Sequence, residues 1–218
     1  MRNTSLTLFL ALIPALFLTG CGEPENPLDV LRSTLDDESA YSIMLEDMRQ
    51  EGSLFPKQYH KYEVATDLRS FSTDWYEVPE NLFTRYLPFL GMVVWMRNTE
   101  WDMDDEYFEP PGFSRIGKKK YGKWVKKKGK DYWNYHPQYG HYTRMLGGRA
   151  IGRDSYKSYS MAHKNRTPFF GMNKQYGTGG SLTKKMFPGY FTRKATAASA
   201  KTGRTNSSMR SRSTGRGK

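Results

Sequence analysis

The sequence predicts an α+β protein, in which a small mixed domain is followed by a disordered basic C-terminal tail. Three features of the 218-residue chain lead to this prediction. Apolar residues recur at helical spacing in one stretch and at strand spacing in others. A hydrophobic content of 37% with 26% charged residues allows one modest core. From residue 147 onward hydrophobic periodicity is lost, so we expect order to decline there.

Apolar spacing gives the elements of this domain. Four apolar residues between Tyr41 and Met48 fall at i, i+3, i+4 and i+7, which predicts a helix over 28–51 that ends at Gly52. Further along the chain, apolar alternation and clustering predict a strand at 59–66, a second helix at 79–87, a buried strand at 91–96 and a β-hairpin at 121–135 with Gly129 in its turn.

Charge is distributed very unevenly along the chain. Residues 22–112 contain 7 Lys and Arg against 20 Asp and Glu, a net charge of −13. Residues 113–218 contain 26 Lys and Arg against 2 Asp and Glu, a net charge of +24, and Arg2 completes the total of +12. An acidic first part is therefore followed by a strongly basic second part, which favours polyanionic partners.

The first 20 residues have the composition of an export signal. Arg2 gives a positive start, an apolar run extends from Leu6 to Leu18, and Gly20 precedes Cys21. The run is too short for a helix that crosses a bilayer core of about 30 Å, which needs roughly 20 apolar residues. This pattern predicts a cleaved signal peptide at residues 1–20. The alternatives are an N-terminal membrane helix with an incidental Cys, or a cytosolic protein with an apolar start.

The Leu-Thr-Gly-Cys sequence at residues 18–21 resembles the lipobox of bacterial lipoproteins. The middle of the chain also resembles hypothetical envelope lipoproteins of Gram-negative bacteria that have no known activity. The lipobox resemblance implies cleavage before Cys21 and a diacylglyceryl group on its thiol, with further acylation of the new amino group. Two or more acyl chains hold a protein stably on a membrane. Gly22 is not the Asp that commonly retains lipoproteins in the inner membrane, so we expect the outer membrane, facing the periplasm.

These features divide the chain into four expected segments. A signal peptide at 1–20 is followed by a lipidated anchor and spacer at 21–27. The α+β domain spans 28–146, and a Gly/Ser/Arg-rich basic extension, largely disordered, spans 147–218.

The candidate binding site is a lysine-rich segment with aromatic flanks. Arg115–Lys130 holds nine Lys and Arg and no acidic residue. In a cytosolic protein this composition would indicate binding to nucleic acid. The export signal argues against nucleic acid as the partner, because the polyanions outside the cytosol are those of the envelope. It favours binding to an anionic envelope polymer or to an acidic partner protein. The membrane is a further expected partner, through the lipid on Cys21. The predicted contact residues are Lys118, Lys119, Lys120, Lys123, Lys126, Lys127, Lys128 and Lys130.

Three other interpretations stay open from the sequence alone. The lysines could be a solvated hairpin that neutralises the six acidic residues of Glu100–Glu109. The chain could be a periplasmic enzyme that acts on cell-wall or glycan material, with aromatic side chains stacking on sugars. It could also be an assembly subunit whose acidic body pairs with the basic tail of a neighbour.

Catalytic and metal-binding motifs are absent from the sequence. It contains no Gly-x-Ser-x-Gly elbow and no Walker loop. His136 and His141 are five residues apart without a Cys to assist them, and Asp102–Glu106 lacks the central Gly and terminal Glu of a calcium loop. We therefore expect a non-enzymatic protein with no cofactor or metal.

Overall fold

The computed structural model describes residues 24–52 and 54–210, in which helices accompany two antiparallel sheets. The structure is 36% helical and 32% strand, which confirms the predicted α+β class. The predicted signal peptide and Cys21 lie outside the described residues. The elements in chain order are α1 (Pro27–Thr34), β1 (Ala40–Glu51), β2 (Lys57–Thr66), β3 (Ser70–Val78), α2 (Glu80–Tyr86), β4 (Val93–Asn98), β5 (Met103–Asp105), β6 (Gly122–Lys127), β7 (Lys130–Tyr135), α3 (Gly140–Met145), β8 (Ile151–Gly152), α4 (Arg153–Lys164), α5 (Ser181–Met186) and α6 (Pro188–Arg210).

The larger sheet has five strands in the order β3-β2-β1-β4-β5, and β1 lies at its centre. The first six residues of β1 are all buried, because both faces of the sheet are covered. The prediction of one helix over 28–51 is therefore wrong in its second part. Tyr41, Met44, Leu45 and Met48 match helical spacing, but they belong to a strand that is buried on both faces and carries a bulge between Leu45 and Asp47. Such a strand does not alternate between apolar and polar residues.

Two apolar cores lie on opposite faces of this sheet. On one face, α1 and α2 contribute Leu28 and Leu82 to a cluster with Tyr41 and Ile43, and Tyr190 of α6 completes it. The other face is covered by the smaller sheet, β6-β7-β8, and by the helices between β7 and α6. Residues that join this second core include Met44, Ala65, Met96, Phe113, Tyr121, Trp133, Tyr142, Ile151 and Tyr159. The fold thus has three layers, with the five-stranded sheet in the middle.

The predicted domain boundary at residue 146 is wrong, because residues beyond it belong to the same core. Tyr159, Phe169, Tyr176 and Leu182 are buried in one cluster with residues of 28–146. These side chains stand at irregular intervals on short helices and loops, so they produce no hydrophobic period in the sequence. Residues 195–210 continue helix α6, and residues 211–218 lie outside the described residues.

The remaining predicted elements agree with the structure to within a few residues. The strand predicted at 59–66 is β2, the helix at 79–87 is α2, and the strand at 91–96 overlaps β4. The hairpin predicted at 121–135 is β6 and β7. Within the described part of the chain, no helix combines the length and the apolar character needed to cross a membrane.

Candidate functional site

The lysine-rich segment forms a tight two-stranded hairpin. β6 and β7 pair from Gly122 opposite Tyr135 to Lys127 opposite Lys130, so Lys128 and Gly129 alone make the turn. Both turn residues have positive φ, 48° and 77°. This is the signature of a type I′ turn, whose twist matches that of the flanking strands. The hairpin therefore presents its lysines from a defined backbone.

The two faces of the hairpin differ in chemistry. One face carries Trp124 and the buried Trp133, whose ring centroids are 5.3 Å apart and which pack onto the second core. Because side chains alternate along a strand, the opposite face carries the residues between them. That outward face consists of Lys123, Val125 and Lys127 on β6, with Lys130, Tyr132 and Asn134 on β7.

Acidic residues of the body engage two of the eight predicted contact lysines at the base of the hairpin. The Lys118 Nζ lies 2.9 Å from the Glu100 carboxylate, and the Lys120 Nζ lies 2.7 Å from the Asp67 carboxylate. The interpretation that the lysines neutralise the Glu100–Glu109 run thus applies to Lys118. Lys119 has an exposed side chain, and its backbone carbonyl lies 3.1 Å from the His136 ring Nε2.

The other five predicted lysines are exposed on the strands and the turn of the hairpin. Within the described residues, none of them forms an ion pair with a carboxylate. Asp131, which faces Lys126 across the strands, is instead paired with Arg153 at 3.4 Å. We call these five residues the distal lysines: Lys123, Lys126, Lys127, Lys128 and Lys130.

Two features of the distal lysines oppose folding. Lys127 stands directly opposite Lys130, and like charges in that arrangement destabilise a strand pair. Lys128 adopts φ 48°, a left-handed conformation that costs a residue with a Cβ about 1–2 kcal/mol. Asn or Gly would fit this turn position better. A bound anion would offset the repulsion between the lysines.

A buried polar network, which the sequence did not predict, holds the base of the hairpin. Arg115 is only 1% exposed, and its guanidinium lies 5.2 Å over the Tyr121 ring. The Arg115 Nε lies 3.7 Å from the Asp67 carboxylate, to which the Tyr121 hydroxyl donates at 3.0 Å. Burial, with a contribution from Asp67, raises the pKa of Tyr121 to about 12, so this phenol stays a donor. Asp67 therefore ties the turn between β2 and β3 to the segment that enters the hairpin.

Glu109 fixes the loop that precedes this segment. Its carboxylate is fully buried and accepts hydrogen bonds from the Ser114 backbone N–H at 3.1 Å and from the Tyr159 hydroxyl at 2.5 Å. Burial raises the pKa of Glu109 to about 7. An acidic residue that looked like part of a solvated run is thus a structural element of the second core.

The histidines and the acidic run are used structurally. The His141 Nε2 lies 3.1 Å from the Thr66 carbonyl. Asp104 accepts a hydrogen bond from the Trp95 indole at 2.7 Å, and Glu106 pairs with Arg85. In the part of the chain that the structure describes, no three His, Cys, Asp or Glu side chains converge as a metal site.

No protein-family model matches the chain, and no curated protein or solved structure is detectably similar to it.

Proposed function

We propose that this protein is a non-enzymatic lipoprotein of the bacterial cell envelope that contacts an anionic envelope polymer through the distal lysines. Lipid on Cys21 would attach it to the outer membrane, on the periplasmic side. The observation that carries the proposal is a set of five exposed lysines on one hairpin. None of the five has a carboxylate partner among the described residues, and contacts with the rest of the fold hold the base of the hairpin in place.

The spacing of the distal lysines suits a repeating anionic chain. Lys127 and Lys130 are direct cross-strand neighbours, and Lys123 lies about 13 Å from Lys127 along β6, at roughly 3.3 Å per residue. Tyr132 and Val125 lie between them on the same face, where they add apolar contact and a hydroxyl. Each exposed Lys near an anionic surface contributes about 1 kcal/mol, so the group supplies useful affinity without a pocket.

The rigid base also favours binding. Arg115, Tyr121 and Asp67 hold the start of β6 before any ligand arrives. Binding then orders lysine side chains but not the hairpin backbone, which reduces the entropy lost on association.

A soluble polyanion without acyl chains tests the hairpin. We would measure binding of inorganic polyphosphate to the chain from Gly22 onward, which contains both cores. Reversal of the outward lysines, Lys123→Glu with Lys127→Glu and Lys130→Glu, should weaken binding more than about tenfold, since each lysine contributes about 1 kcal/mol. The control has the same change in net charge at exposed lysines elsewhere: Lys157→Glu with Lys184→Glu and Lys185→Glu. Equal losses in the two variants would contradict a hairpin site and indicate attraction by overall charge.

The anchor is tested separately. In Cys21→Ser the acceptor thiol is gone, so we expect no acyl labelling and an uncut, larger precursor. Normal processing and membrane retention of this variant would contradict the lipoprotein proposal and leave the polyphosphate test unaffected.

A further inference from the structure

Two tyrosines connect the buried carboxyl of Glu109 to a histidine near the surface. The Tyr159 hydroxyl donates to the Glu109 carboxylate at 2.5 Å, and the Tyr107 hydroxyl lies 2.6 Å from the His163 ring Nδ1. The two hydroxyls also form a hydrogen bond with each other. Glu109, Tyr159, Tyr107 and His163 therefore make one continuous series of hydrogen bonds, which we call the Glu–His chain.

The Glu–His chain begins in the second core and ends at a cleft. Glu109 is fully buried, and Tyr107 and Tyr159 are buried as well. His163 is half-buried and contributes to a cleft of about 710 Å³ between residues 102–108 and residues 163–168. The first wall of this cleft is acidic and the second is basic, with the charged residues Asp102, Asp104, Asp105 and Glu106 facing Lys164 and Arg166. The buried carboxyl is thus linked to the cleft through two phenols and an imidazole.

Each intermediate group of this chain can both donate and accept a hydrogen bond. A phenol has one proton and free lone pairs, and a neutral imidazole carries a proton on one nitrogen and accepts on the other. Burial raises the pKa of Tyr107 and of Tyr159, so both phenols keep their protons. Burial, with a contribution from Arg166, lowers the pKa of His163, so its ring is neutral near pH 7.

Two arrangements of protons satisfy every hydrogen bond in the Glu–His chain. In the first, the carboxylate is ionised and each hydrogen bond points toward it, so the proton of His163 is on Nδ1. In the second, the carboxyl is protonated and each hydrogen bond points away from it, so Nδ1 is an acceptor and the histidine proton is on Nε2. The Ser114 backbone N–H donates to the other oxygen of the carboxyl. The charge of Glu109 and the tautomer of His163 are therefore coupled.

We infer that the Glu–His chain is a proton relay, through which the buried Glu109 carboxyl exchanges one proton with the cleft by way of His163. A proton that binds to the Nε2 of His163 releases the proton on Nδ1 to the Tyr107 oxygen. Tyr107 passes its own proton to Tyr159, and Tyr159 passes its own to the carboxylate. One N–H bond forms at Nε2, one O–H bond forms at the carboxyl, and the three groups between are neutral before and after. The carboxyl therefore gains a proton without opening of the core.

The charges around the two ends keep this exchange close to neutral pH. Burial favours the protonated form of Glu109, whereas the hydrogen bonds from Tyr159 and Ser114 and the charge of Arg115 favour the ionised form, and the resulting pKa is about 7. The other titratable groups that interact with this carboxylate are phenols whose pKa burial raises, namely Tyr107, Tyr135, Tyr142 and Tyr159.

At the cleft, Arg166 disfavours a charged imidazole and Lys164 lines the same wall, while the carboxylates of the acidic wall face them. A neutral His163 that changes its tautomer therefore presents the charge state of Glu109 to the cleft. This pH-sensitive element is separate from the distal lysines and goes beyond the proposed function.

Nitrogen-15 NMR of the histidine rings tests the relay, because the chemical shifts of Nδ1 and Nε2 show which nitrogen carries the proton. The chain from Gly22 onward would be labelled at histidine, and the signals of His163 assigned by their absence from His163→Gln. Between about pH 8 and about pH 6, on either side of the Glu109 pKa of about 7, we expect the proton of His163 to move from Nδ1 to Nε2. In Glu109→Gln the side chain cannot titrate, so the tautomer should be the same at both pH values.

Conservative variants show whether the two tyrosines carry the coupling. Tyr107→Phe and Tyr159→Phe each remove one hydroxyl of the chain, so the tautomer of His163 should no longer follow pH in either of them. Tyr156→Phe is the matched control, since it makes the same change on α4 at a residue outside the chain, and it should respond as the wild-type protein does. Circular dichroism establishes that each variant is folded before the spectra are compared.

Several outcomes would overturn the inference. The tautomer of His163 could stay constant in the wild-type chain between these pH values. The wild-type response could persist in Glu109→Gln or in either Phe variant of the chain, or be lost equally in Tyr156→Phe. Each result would show that His163 responds to pH without Glu109 or without the two hydroxyls. Because these spectra do not involve polyphosphate, the relay and the proposed function can fail independently.

Discussion

The base and the distal part of the lysine-rich segment have similar compositions and opposite environments. At the base, Arg115 is buried beside Asp67, Lys120 pairs with the same carboxylate, and Lys118 pairs with Glu100. A few residues further on, the distal lysines face solvent on the two strands of the hairpin and, at Lys128, in its strained turn. A cationic run therefore does not define a binding surface by itself. What decides the role of each cation is whether the fold brings a carboxylate within reach of it.

The largest expected effect is at Arg115. Arg115→Ala removes a large buried side chain and its contacts with Tyr121, Tyr142 and Asp67, so we expect the free energy of unfolding to fall by about 3–5 kcal/mol. Urea unfolding followed by circular dichroism measures this change. Lys127→Ala, at the distal part of the same segment, should change it by less than about 0.5 kcal/mol. Similar values for the two variants would remove the distinction between base and distal part.

The next effect depends on pH and concerns Glu109. Burial raises its pKa to about 7 in the folded protein, above the unfolded value of about 4.3. The folded state therefore binds a proton more tightly, and the stability that this proton supplies is lost as the pH rises through 7. In Glu109→Gln the group stays neutral, so the variant should be up to about 3 kcal/mol more stable than wild type at pH 8.

Unfolding at a series of pH values checks this prediction. Near pH 3, about one unit below the unfolded pKa, the carboxyl is mostly protonated in both states. The two proteins should then have similar stability, apart from a small cost for the altered bond to Tyr159. A stability difference that does not change with pH would show that Glu109 does not titrate in this range.

Sequence patterns predicted the distal part of the segment better than the base. A short lysine-rich run that contains Gly129 and lies between two aromatic segments is a local signal for a hairpin. The structure has this hairpin, with Gly129 in its turn. The burial of Arg115 depends on Asp67, which lies 48 positions earlier in the chain, and no local pattern carries that information. A partial signal existed in Phe113 and Ile116, the apolar residues on either side, which are both buried.

The same contrast explains the other differences between prediction and structure. The spacing of apolar residues in β1 predicts a helix, because a central strand covered on both faces has no alternation between apolar and polar residues. The sequence beyond residue 146 predicts a tail, because single aromatic residues such as Tyr159 and Tyr176 join the core without any hydrophobic period. Both errors concern contacts made by the whole fold.

A smaller effect is expected from the hairpin turn. Lys128→Asn places an Asn-Gly pair in a type I′ turn, which should raise the free energy of unfolding by about 0.5–1 kcal/mol. The same change should weaken polyphosphate binding about fivefold, because one lysine contributes about 1 kcal/mol. Lys123→Asn is the control, since it removes a lysine that lies outside the turn and opposite the uncharged Asn134, and it should weaken binding without that gain in stability. Unchanged polyphosphate binding in both variants would exclude the distal lysines from the contact.

The smallest effect separates the base from the binding surface most directly. Lys120→Ala breaks an ion pair whose lysine is about half exposed, so the free energy of unfolding should fall by less than about 1 kcal/mol. The lost charge is already balanced by Asp67, and polyphosphate binding at moderate salt should therefore stay within about twofold of wild type. Lys127→Ala, which removes one charge without a carboxylate partner nearby, should lower binding several times more under the same conditions. Titrations of the two variants side by side compare these losses. If Lys120→Ala weakens binding as much as Lys127→Ala, the pairing with Asp67 does not withdraw Lys120 from the surface, and the anionic partner contacts the base of the hairpin as well.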